Sequence, residues 1–236
     1  LAREPILNVP AAVVVVLVLL AAVHGALGLL RGGDEEYVIW LLAFIPARYV
    51  GFAREIPGGE IASWTSFVTH QFVHGDITHL LINSAWLLVF GSAVARRVGS
   101  ARFFAFSLLC GIAGAAFFMV VRWGEAVPMV GASGAISGLM AAGFRILLPA
   151  IDNGDIHEMR ESPRSVPLAS LGECLRNRRV LFAIIAFVVV NFVIAGAAPL
   201  LTDAGGIAWE AHLGGFAAGL LLLGVFDLRQ TADATP

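Results

Sequence analysis

Long apolar runs free of charge dominate this chain and leave it few ways to fold. Crossing the roughly 30 Å hydrocarbon core of a bilayer takes about 20 apolar residues in a helix. Backbone polar groups in lipid must also be paired inside the spanning element. The runs at 9–30, 79–94, 103–121, 133–149, 180–200 and 208–226 fall at or near that length. They predict an all-α membrane protein, a bundle of six transmembrane helices. Composition agrees: 58% of the 236 residues are hydrophobic and 14% are charged, against about 25% charged in an average soluble domain. Such a chain could not cover a water-facing surface with polar groups. The first run is too long for a cleavable signal peptide. A net charge of −2, with no basic patch interleaved with aromatics, gives no footing for nucleic acid.

Charge placement sets the expected orientation, because basic residues collect on the cytoplasmic side. All 15 basic residues are arginine. With the N-terminus inside, Arg3, Arg96, Arg97, Arg102, Arg145, Arg160, Arg164, Arg176, Arg178, Arg179 and Arg229 face the cytoplasm, and only Arg31, Arg48, Arg54 and Arg122 lie outside. The organisation expected is therefore a cytoplasmic tail (1–8), a six-helix membrane domain (9–227) and a second cytoplasmic tail (228–236). The domain carries an outer loop at 31–78 and a cytoplasmic loop at 150–179, read as a solvated connector. Within the outer loop the apolar stretch 38–45 is too short to span, so that loop is expected to be partly embedded. The fourth run, ending at Pro149, gives only about 26 Å of helix at about 1.5 Å per residue. The stretch 128–132 before it should then dip below the surface as irregular backbone, beside a water-accessible pocket. Cys110 and Cys174 lie at different expected depths and should not pair.

Polar groups inside spans are the candidates for chemistry. Ser133 opens the fourth run, His212 lies one turn into the sixth, and His79 and Asn83 occupy the first turns of the second. All four share one leaflet. Gly134 and Gly138 form a GxxxG face, and Gly215 and Gly219 lie on the same face as His212. If the two glycine faces pack together, Ser133 and His212 meet as a nucleophile and its general base. Glu210, two residues from His212, points elsewhere, so a dyad is expected. His79 and Asn83, four apart, offer N–H donors suited to an oxyanion. His70 and His74 share that spacing, but only Asp76 could join them, so no metal and no cofactor are expected. A transporter using the histidines as a proton path is disfavoured, because no charged residue sits at mid-membrane.

The ordered set HGxxxHxxxN (74–83), GASG (131–134) and AHxxGxxxG (211–219) resembles the rhomboid intramembrane serine proteases, over about residues 64–224. The resemblance implies a six-helix rhomboid core with Ser133 as nucleophile and His212 as base. It implies oxyanion support from His79 and Asn83, and His74 supporting the first outer loop. Gly131, Gly134, Gly215 and Gly219 are supporting residues. The implied partners are single-span or other transmembrane substrates and the lipid bilayer itself; the lack of a transit-like N-terminus points to a bacterial inner membrane. A catalytically silent rhomboid-like protein that binds membrane clients is the alternative. Many members carry an aromatic residue four after the serine; here that position is Ser137.

Overall fold

The computed structural model describes residues 9–201 and 207–227, and the expected tails at 1–8 and 228–236 lie outside these. The described chain is helical, with a single isolated antiparallel bridge between Phe44 and Met129. Helix α1 (Ala11–Leu27) is followed by α2 (Asp34–Leu42) and α3 (Gly59–Thr69). Next, α4 (Ile77–Trp86) runs through a π turn at Leu87–Gly91 into α5 (Ser92–Val98). Then come α6 (Ser100–Val121), α7 (Ser133–Asn153), and two short helices, α8 (Ile156–Glu161) and α9 (Leu171–Arg176). Two long helices, α10 (Arg178–Leu201) and α11 (Trp209–Phe226), complete the fold.

Among the described residues, five helices are long and apolar enough to cross a membrane: Ile77–Val98, Ser100–Val121, Ser133–Asn153, Arg178–Ala197 and Trp209–Phe226. The first run forms an apolar helix of only 17 residues, entered at Pro10 and left at Gly28. The second span begins earlier than expected because the Asp76 side chain accepts the His79 N–H and caps the helix ahead of Ile77.

The fourth span corrects the expectation that it stops at Pro149. Helix α7 carries on to Asn153, giving 21 residues and about 32 Å. A proline near a helix end removes one N–H without stopping the turns already formed. The true stop is Gly154, left-handed at φ 82°, whose N–H closes on Ile151 O while Asp155 N–H closes on Ala150 O (2.8 Å).

At the centre, α7 packs on α6 and α11 through residues without side chains. A Cβ added to Gly215 would overlap the Gly134 carbonyl, and one on Gly219 would overlap that of Gly138. A Cβ on Gly114 of α6 would sit 2.6 Å from Ala211 O, and one on Gly138 would sit 2.5 Å from Cys110 Sγ. In lipid there is little hydrophobic drive between helices, so close backbone packing carries their association. Around this seam lies a core of Leu139, Phe103, Phe106, Cys110 and Leu223. Cys110 and Cys174 are both free and buried.

Arginines hold the two ends. At the end away from Ser133, Arg97 pairs with Asp227 (2.7 Å), both side chains buried, and also donates to Pro163 O and Val166 O. Arg145 donates to Leu220 O and Ala169 O, and Arg164 to Arg97 O. The 150–179 segment is therefore docked, not a solvated connector: Met159, Val166 and Cys174 are buried in it. Three carbonyls of the segment, those of Pro163, Val166 and Ala169, accept from arginines of the helices, which accounts for the docking. At the other end, buried Arg48 donates to Ala43 O, Trp40 O and Pro57 O, folding the 31–78 segment around one guanidinium.

The seam makes a direct test. Gly215→Val or Gly219→Val should destabilise the fold by about 1–3 kcal/mol or more through overpacking. Gly196→Val, where an added Cβ meets nothing within 4 Å, should be near neutral. Thermal unfolding in detergent, followed by loss of monodisperse protein, measures both.

Candidate active site

The seam sets the relation between Ser133 and His212. Gly134 lies against Ala211 O, 3.3 Å from where its Cβ would be, and against Gly215 one turn further along α11. Ser133 and His212 are the immediate neighbours of Gly134 and Ala211, so they sit at adjoining ends of two helices in contact. Both are half-buried and keep accessible surface. Ser133 is the first residue of α7, and Ala132 before it supplies no side-chain cap. The first-turn N–H groups beside the hydroxyl thus lack helical partners and point where an anion would be welcome.

Irregular backbone leads into that helix, and the protein itself satisfies it. Met129 exchanges both backbone hydrogen bonds with Phe44 (3.0 and 2.9 Å), and Gly131 N–H donates to His70 O (2.9 Å). Gly131 holds φ 118°, a conformation L side chains rarely adopt. A Cβ there would also lie 2.7 Å from His79 Cε1 and 3.6 Å from Asn83 Nδ2. The bare face of Gly131 therefore looks onto His79 and Asn83. Asn83 is buried, and its Nδ2 has no hydrogen-bond partner. That amide donor is thus free of protein partners and can bond a group arriving at this spot.

Two of the histidines meet directly, and His79 is one of them. Its ring lies 5.0 Å from that of His74, edge-on. Among the described residues, no three His, Cys, Asp or Glu side chains are grouped to hold a metal. Glu210 faces away from His212, as its spacing predicted. It is wholly buried and bonds Arg122 Nε at 2.5 Å, tying the end of α6 to the start of α11. The clefts at Tyr37 and Trp40, and at Tyr49 and Trp64, lie on the 31–78 segment and not beside Ser133.

Two roles escaped the sequence reading. His70 carries the loop before Ser133 on its carbonyl, while its Nδ1–H donates to Ser66 O (2.7 Å). Asn191 of α10 accepts at Oδ1 from His212 Nδ1 at 2.7 Å. Its signal was present: it is the one carboxamide in an uncharged span, a position where polar groups carry function.

This helical core with its row of polar groups can be set against known proteins. The Rhomboid domain model matches residues 62–229, well over half of the chain. The chain belongs to the rhomboid family. This rhomboid is also 36% identical over 112 residues to the Bacillus subtilis (strain 168) protein named "Putative rhomboid protease YdcA", an alignment covering 44% of this chain and 54% of that protein. The chain thus spans about half the length of the curated relative it matches.

The buried histidines outside the spans give the rhomboid a pH-dependent stability. Burial pushes His70 and His74 down from 6.5 to about 4, with His79 adding to the effect on His74. The unfolded chain titrates them near 6.5, so between about 6.5 and 4 it binds more protons than the folded one. Their contribution to stability is complete above 6.5 and is lost as pH falls towards 4. The unfolding midpoint in detergent should drop across that window, and less steeply in His74→Gln.

Proposed function

We propose that this rhomboid is an intramembrane serine endopeptidase that cuts other membrane proteins in or near their transmembrane segments. The observation supporting the reading is the glycine seam, which brings Gly134 and Ala211, the chain neighbours of Ser133 and His212, into contact, together with the Asn83 amide facing Gly131. In the mechanism, His212 Nε2 takes the Ser133 Oγ proton as the oxygen attacks a peptide carbonyl. The negative charge passes to the carbonyl oxygen, held by the Ser133 N–H, Asn83 Nδ2 and the His79 ring. The intermediate collapses when His212 returns the proton to the leaving amine, giving an ester on Ser133. Water, deprotonated by His212, then releases the acid. Since a transmembrane helix hides its carbonyls in hydrogen bonds, substrates with small or helix-breaking residues near one end are the natural class. In this reading α1 is the first span and brings the total to six, 9–227 forms the membrane domain, and both termini are cytoplasmic in a bacterial inner membrane. The arginine distribution supports that orientation.

The purified protein, incubated in detergent with a single-span substrate carrying small residues near one end, should yield two fragments. Ser133→Ala and His212→Ala should yield none. Asn83→Ala should lower kcat by roughly 10²–10³. Cleavage that survives in pure Ser133→Ala would overturn the mechanism; a folded parent that binds the substrate uncut would favour client binding.

A further inference from the structure

We infer that Asn191 is a positioning residue that fixes the tautomer and orientation of His212, adding a third member that orients the expected pair. The inference rests on the protease reading for its consequence in rate, but its structural content stands separately.

Two hydrogen bonds settle which way the Asn191 amide faces. Nδ2–H donates to Phe187 O at 2.8 Å, one turn back on the same helix. The opposite flip would set Oδ1 against that carbonyl, two acceptors facing each other. Oδ1 is therefore the atom at 2.7 Å from His212 Nδ1. A carboxamide oxygen only accepts, so the proton of neutral His212 resides on Nδ1 and the Nε2 lone pair is left free. That is the tautomer a base must have to take a hydroxyl proton.

The surroundings argue against an incidental polar contact. Asn191 is 8% exposed, while Val189, Val190, Phe192 and Val193 around it are half exposed or more. It is the point at which an otherwise outward-facing helix turns a polar group inward. Aromatic pairs bracket the bond on both sides: Phe187 stacks on Phe216 at 4.1 Å, and Phe192 meets Trp209 at 4.9 Å. These pairs join the turns of α10 and α11 above and below the Asn191–His212 contact. Ser137, one turn into α7 from Ser133, offers no ring to brace the imidazole. Holding the reacting groups in register is worth much, since a misplacement of about 1 Å can cost roughly 10²-fold.

The test compares the parent with Asn191→Leu, Asn191→Asp and Ser133→Ala. Asn191→Leu should lower kcat about 10- to 100-fold with KM unchanged. Asn191→Asp, whose carboxylate also accepts from Nδ1–H, should recover most of the loss. A Leu variant that cleaves at the parental kcat overturns the inference, as does an Asp variant no better than Leu. Imidazole ¹⁵N resonances at pH 8, assigned by comparison with His212→Gln, read the tautomer without any substrate. His212 should be protonated on Nδ1 in the parent and lose that preference in Asn191→Leu; an Nε2–H form in the parent overturns the inference. If the parent does not cleave, or Ser133→Ala does, the protease reading fails, and the resonances still decide what Asn191 does.

Discussion

Everything near Ser133 depends on how closely α7 and α11 approach. The approach is set by glycines facing carbonyls: Gly215 at Gly134 O and Gly219 at Gly138 O. No side chain intervenes, so direct backbone contact sets the separation of the two helices. Lipid supplies almost no hydrophobic drive between helices, which makes such contacts the means of specifying one arrangement. Gly114 of α6, close to Ala211 O, brings the third helix into the same seam.

With that seam in place, the remaining polar groups have defined tasks. Asp76 starts α4 so that His79 and Asn83 come up one face beneath Gly131. The His70 carbonyl takes the N–H of Gly131 and holds irregular backbone where no helix bond exists. Arg122 and Glu210 lock the neighbouring ends of α6 and α11, so the turn bearing His212 cannot fray. Arg97, Arg145 and Arg164 do the same work at the far end, each using backbone carbonyls that a membrane environment would otherwise leave costly. The guanidinium suits this because its donors form a rigid fork that reaches several acceptors at once.

Much of this was legible in the chain before any coordinates. Ser133, His212, His79 and Asn83 stand out because polar groups are rare in such runs, and helical spacing says which of them share a face. Spacing also placed Glu210 on a different face from His212. The fourth span was expected to end at Pro149, but one missing N–H near a helix end is tolerated and Gly154 is the actual terminator. The 150–179 segment looked solvated because its polar residues are numerous; three arginines dock it regardless. Asn191 was overlooked because its partner lies on another helix and no periodicity links residue 191 to residue 212.

The sequence by itself determined that this is a helical membrane protein, where its apolar helices fall, and which polar side chains they carry. Those properties follow from local composition and from the 3.6-residue repeat, each read within one segment. Only the tertiary structure decided that Asn83 Nδ2 is left unpaired beside Gly131, that Asn191 meets His212, and that the arginines close both ends of the bundle. These are meetings between segments far apart in the chain, and their geometry depends on helix approach distances that only the packed glycine seam defines.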